Sequence, residues 1–134
     1  MILYRPVGVR ELELIAEMQF AGFPPRLPEQ PIFYPVLYFE YAQQIARDWN
    51  ATGPNQAGFI TRFEVDDDWV GQFDVQTVGR KGFHDELWIP AERLEEFNRH
   101  IIGNITVEAS YYGDVFAGEV DPETNLPTTV TSGD

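Results

Sequence analysis

Gly58-Phe59-Ile60-Thr61-Arg62-Phe63-Glu64-Val65 alternates along its whole length. Phe59, Thr61, Phe63 and Val65 fall on one side, Ile60, Arg62 and Glu64 on the other. Successive side chains of a strand point to opposite faces, so this period of two reads as a strand with one face in a core. It is the clearest strand in the chain.

Working back from it, Tyr38 to Trp49 places Tyr38, Ala42, Ile45 and Trp49 on one helical face, with Glu40, Gln44, Arg47 and Asp48 largely off it. A helix is expected there, stopped by Ala51-Thr52-Gly53-Pro54-Asn55. Residues 21–35 carry Pro24, Pro25, Pro28, Pro31 and Pro35, which remove backbone donors and fix φ, so an ordered loop is expected. Its Phe20, Phe23, Leu27, Ile32, Phe33 and Tyr34 are costly to leave in water. Further back, Val9, Leu12, Ile15 and Ala16 recur at helical spacing, and Ile2 to Arg5 reads as a first strand broken by Pro6 and Gly8.

Working forward, Asp66-Asp67-Asp68 offers N-cap oxygens for a short helical turn through Trp69 and Val70. Gln72 to Val78 and Glu86 to Ile89 are further strands. Pro90 suits the first position of a helix carrying Leu94, Phe97 and Ile101, and Gly103 stops that helix. Ile105, Val107, Ala109 and Tyr111 alternate as a last strand. The order β-α-loop-α-β-β-β-α-β predicts an α+β fold: a small, mostly antiparallel sheet, whole or split, with two to three helices. Residues 1–112 read as a single domain, and 113–134 as an acidic, mobile or partner-dependent tail.

Composition narrows the function classes. The 134 residues are 43% hydrophobic and 14% aromatic, enough for a real core. There is no cysteine, which excludes disulfides and thiolate metal sites. The N-terminal segment lacks a basic stretch followed by a long apolar run, and no apolar run is long enough to span a bilayer, so a cytoplasmic protein without a membrane partner is expected. The formal charge is −13, from 22 acidic and 9 basic residues. Such a chain repels nucleic-acid phosphates and suits a basic protein partner. No Lys or Arg follows Arg99, whereas Glu108, Asp114, Glu119, Asp121, Glu123 and Asp134 do.

The chemistry-bearing residues are few. His84 and His100 are far apart, with no metal-ligand spacing, so no metal is expected. There is no nucleophile elbow and no glycine-rich phosphate loop. In Phe83-His84-Asp85-Glu86-Leu87-Trp88-Ile89-Pro90, alternation sends Leu87 and Ile89 to the core and His84, Glu86 and Trp88 to the other face. A carboxylate between an imidazole and an indole can orient a hydroxyl or stabilise a developing cation. Arg5 offers a planar fork that suits phosphate or a neighbouring surface acid. Phe33, Tyr34, Tyr38 and Tyr41 offer rings that serve either the core or a stacked base.

Taken together, Tyr4-Arg5, Phe33-Tyr34-Pro35-Val36, Tyr41 to Trp49, Gly58 to Val65 and His84 to Pro90 resemble a small bacterial family that carries the label ADP-ribosylation/crystallin J1. The likeness covers roughly residues 1–110. More distantly, the layout is similar to the ADP-ribosyltransferase fold. That resemblance implies that NAD or an ADP-ribosyl group is the nucleotide ligand. Arg5 would hold the dinucleotide, Tyr34 would stack on nicotinamide, and Glu86 would be catalytic with His84 beside it; Trp88, on the face of Glu86, is a further ligand-binding candidate. His84 stands where arginine-specific members have a first Glu. The charge supports a different expectation: an acidic, non-catalytic interaction module, of the immunity-factor or inhibitor type, docking onto a basic protein.

Overall fold

The computed structural model describes residues 1–131. Strand β3 (Ala57–Val65) is the hub, as its alternation predicts. It pairs antiparallel with β1 (Ile2–Val7) on one side and with β7 (Ile101–Tyr112) on the other. On the far side of β1 the chain passes through residues 31–37, which include the short β2 (Ile32–Phe33). Tyr4 and Val36 exchange backbone hydrogen bonds of 2.9 and 2.8 Å. The other edge of the same segment meets β5 (Asp85–Leu87) and β6 (Ile89–Pro90). There Leu37 N–H donates to Asp85 O, Leu87 N–H to Pro35 O, and Phe33 pairs with Ile89. β4 (Val75–Thr77) closes that end against β5. All pairings are antiparallel, and the fold is α+β.

Each face of this surface carries its own helices. On one face, α1 (Val9–Glu17) and α4 (Leu94–Arg99, entered through a 3-10 turn at Ala91–Arg93) cover the larger core of Leu3, Val7, Phe59, Phe63, Val65, Leu87 and Ile89. Its centre is aromatic. Phe23 lies 5.0 Å from Phe33 and 4.8 Å from Phe63 between ring centroids, and Phe33 lies 5.4 Å from Phe97. These tilted and edge-on contacts join the proline loop, β2, β3 and α4, and each adds about 0.5–1.5 kcal/mol beyond the buried area. On the other face, α2 (Phe39–Ile45) buries Tyr41 and Ala42 against Val36 and Ile60. Ile60 is therefore buried although it lies on the side opposite Phe59.

The structure departs from the expected patterns where backbone irregularities intervene. α2 does not run on regularly to Trp49; it widens into a π-helical turn at Ala46–Asn50. The extra residue in the turn rotates the side chains around it, so Ala46 is buried and Trp49 is 73% exposed. β7 is longer than its partner, and its register slips between Ile60/Thr61 and between Arg62/Glu64. The slip leaves Glu108 unmatched in the strand register with β3, and a bulge of this kind reverses the facing. Ile105 and Val107 thus join the larger core, while Ala109 and Tyr111 pack under α2 instead of sharing one face with them. Gly103, expected to stop a helix, lies within β7 at φ +76°. In the proline loop Phe23 and Phe33 are buried, but Leu27 and Tyr34 are exposed. The aspartate run opens α3 (Asp67–Val70), yet no side chain caps it, and Asp67 pairs with the N-terminal ammonium.

The segment expected to be a tail continues the fold. β8 (Val120–Asp121) and β9 (Leu126–Pro127) form a hairpin, followed by α5 (Thr128–Thr131). Val130 is only 5% exposed and joins the larger core. Residues 132–134 of the expected tail lie outside the described residues. No helix among the described residues is long and apolar enough to cross a membrane.

The π-helical turn rests on Gly58. A Cβ there would run into the Ala46 carbonyl oxygen and the Asn50 Cβ. Backbone cannot move aside as a flexible side chain can. Gly58→Ala is expected to lower stability by about 1–3 kcal/mol, through overpacking. Urea denaturation measures this, and an unchanged midpoint would show that the turn has slack.

Candidate functional site

The antiparallel pairing with residues 35–37 fixes which way β5 and β6 face. Leu87 and Ile89 go to the larger core, so Glu86 and Trp88 go to the α2 side. This is the alternation expected from sequence. Glu86 is nevertheless not open to solvent; it is 7% exposed. Tyr41 of α2 donates its hydroxyl to Oε2 at 3.0 Å, and Trp88 donates Nε1–H to Oε1 at 2.8 Å. Both oxygens of the carboxylate are therefore engaged, by two donors of its own chain. Such bonds to an ionised acceptor are among the stronger ones in proteins.

His84 sits near this cluster without touching the carboxylate. Its ring meets the Tyr41 ring edge-on at 5.0 Å. The Arg80 N–H donates to Nδ1 at 2.8 Å, which leaves the ring proton on Nε2, 3.1 Å from Gln44 Oε1. Both ring nitrogens are thus partnered, one by the loop between β4 and β5 and the other by α2. Gly79 belongs to the same arrangement, because a Cβ there would strike the imidazole. Tyr41 is the residue that links the two: one ring contacts His84 and its hydroxyl reaches Glu86. Tyr41 and Gln44 lie one helical step apart, and that spacing is the sequence signal that pairs them with His84.

Tyr34 and Trp88 do come together. Their ring centroids are 6.3 Å apart at an interplanar angle of 84°. They are 39% and 43% exposed, so they form a solvent-facing corner beside Glu86.

Arg5 belongs elsewhere. On β1, Leu3, Arg5 and Val7 share a face, and Leu3 and Val7 are in the larger core. Arg5 follows them. Its Nε and Nη2 donate to Glu11 of α1 at 2.6 and 2.9 Å. Nη1 is 3.5 Å from the Tyr34 carbonyl oxygen, and the guanidinium lies 4.6 Å from the Phe33 ring centroid. The fork is engaged by a carboxylate on the face opposite Glu86. Of the residues singled out from sequence, the structure assembles Glu86, Trp88 and Tyr34, with His84 at one remove through Tyr41, and leaves Arg5 out. Glu11 was missed because nothing in its helical pattern marks it as the partner of a strand arginine. Among the described residues no group of three metal-ligating side chains converges. Cavities of about 390 and 430 Å³ open elsewhere, against α1 and against α4, and Glu86, Trp88 and Tyr34 line neither.

The electrostatic mark of the cluster is on Tyr41. Burial, then the hydrogen bond to the Glu86 carboxylate and its charge, push the phenol up to about 12. Tyr41 keeps its proton more tightly folded than unfolded. Its contribution to stability is therefore complete below about pH 10 and lost as pH rises from about 10 to about 12. Ultraviolet titration of tyrosinate is expected to show a step near pH 12 that is absent from Tyr41→Phe. A Tyr41→Phe curve matching the wild type would contradict the assignment.

Compared with protein-family models, curated proteins and solved structures, the chain matches none of them.

Proposed function

We propose that this chain is an acidic, non-catalytic interaction domain that docks onto a basic protein. The distribution of charge carries this reading. Arg5, Arg10, Arg47, Arg62, Arg93 and Arg99 each pair with an acid of the same chain. Among the described residues this leaves Arg26, Arg80 and Lys81 outside ion pairs. Against them stand exposed Glu17, Glu29, Glu40, Glu64, Asp74 and Glu92, and towards the C-terminal end Asp114, Glu119 and Glu123. Among the described residues, the net charge of −13 is thus carried by acids that make no ion pair. A surface of one sign steers an oppositely charged partner and speeds its association. Arg5 and Glu86, the groups best suited to chemistry, serve internal contacts on opposite faces.

Affinity capture at low ionic strength is expected to recover a basic protein in stoichiometric amount. Its association rate should fall steeply as salt shortens the Debye length from about 30 Å at 0.01 M to about 8 Å at 0.15 M. Recovery of no basic protein at low salt would sink this reading.

A second reading, binding of NAD or an ADP-ribosyl group, is favoured by one observation: Glu86, Trp88 and Tyr34 share a face, with both rings open to stacking. It predicts calorimetric heat with NAD or ADP-ribose that Glu86→Gln abolishes. Silence from both ligands at millimolar concentration would remove it. Arg5→Ala is expected to lower stability by about 2–3 kcal/mol, because it leaves the Glu11 carboxylate partly buried without its partner.

A further inference from the structure

We propose that the corner formed by Trp88 and Tyr34 beside Glu86 is an arginine-binding site, which takes a guanidinium side chain of the basic partner. The inference rests on the docking reading above and names the contact at its centre.

Three observations converge on it. First, the two rings stand nearly perpendicular, at 84°, and both face solvent. A planar cation laid flat on one ring meets the other at its edge, so the corner is shaped for a flat group rather than a sphere. Second, the indole N–H of Trp88 donates to the Glu86 carboxylate at 2.8 Å. An anion hydrogen-bonded to the N–H raises electron density over the ring and strengthens its attraction for a cation. The carboxylate itself adds a negative charge directly beside the rings, held there by Tyr41 from beneath. Third, arginine over an aromatic ring is a contact this chain already uses within its own fold. Arg5 lies over Phe33, Arg80 over Phe83, and Arg93 over Trp69 and Phe73. Among the described residues none lies over Trp88 or Tyr34.

The chemistry selects arginine over lysine. A guanidinium is planar, more weakly hydrated and able to stack while its edge donates hydrogen bonds. A lysine ammonium is compact and strongly hydrated, and gains less from the flat face. The acids elsewhere on the surface attract either residue at long range. This corner distinguishes them.

The test uses the full chain with an arginine-rich peptide and its all-lysine counterpart, titrated at low ionic strength by calorimetry. The arginine peptide is expected to bind more tightly than the lysine peptide. Trp88→Ala should weaken it about tenfold, and Tyr34→Ala by a smaller factor. Trp88→Phe, which keeps a ring but loses the N–H to Glu86, should fall between wild type and Trp88→Ala. A Glu119→Gln/Glu123→Gln variant should bind arginine and lysine peptides with the same preference as wild type. Circular dichroism reports whether each variant is folded, and Tyr34→Ala at an exposed ring keeps the test open if Trp88→Ala is not. Peptide binding that ignores Trp88 and Tyr34, or that treats arginine and lysine alike, would overturn the site while leaving the docking reading in place. Absence of binding by either peptide would overturn both.

Discussion

Residues 31–37 are hydrogen-bonded along both edges, and most of the molecule is arranged around that fact. One edge takes Tyr4 of β1 through Val36; the other takes Asp85 and Leu87 through Pro35 and Leu37. A segment pinned on both sides cannot turn over, so its facing is imposed on its neighbours. Phe33 goes to the aromatic core and Val36 to the α2 side. The same register sends Leu87 and Ile89 one way and Glu86 and Trp88 the other. α2 begins at Phe39, directly after the segment, so it has little choice but to lie over the face that carries Val36 and Glu86. The prolines around this stretch help. They cost few ladder hydrogen bonds at its ends, and they restrict the unfolded chain.

The buried charged groups come in matched sets, whereas Arg26 Nε and Asn50 Oδ1 are buried without a hydrogen-bond partner. Glu86 has Tyr41 and Trp88; Arg5 has Glu11; Asp85 accepts from the Thr77 hydroxyl and the Gly82 N–H. A buried carboxylate left without donors would cost several kcal/mol, so each of these pairings is a condition of burial rather than an ornament. The exposed acids are under no such condition. They leave the fold free to vary its surface charge, and here the surface is strongly acidic.

Much of this arrangement is legible in the sequence by parity alone. Phe59, Thr61, Phe63 and Val65, and Leu87 with Ile89, obey the period of two and lie where it puts them. The placement of Arg5 is legible too, once Leu3 and Val7 are seen to share its face; only its partner, on a helix six residues further on, is not. What sequence patterns miss are single-residue irregularities. The bulge at Glu108 and the π-helical turn after Ile45 each insert one residue, and the residues just beyond each change face. Nothing in Ser110 or Trp49 announces it, because the cause lies in packing against β3. The candidate site was half legible for the same reason. The facing of Glu86 and Trp88 follows from alternation, whereas the cover supplied by Tyr41 depends on where α2 lands.

The short helix at the C-terminal end packs on α1 near the N-terminus, with Val130 in the same core as Leu12 and Ile15. α1 also packs on β3, so α5 extends a core that β1, β3 and α1 already share, and it does so from more than a hundred residues further along the chain. The apolar side of α1 is thus closed by a segment remote in sequence, and loosening of α5 would expose Leu12 and Ile15 without touching the sheet that carries the candidate site.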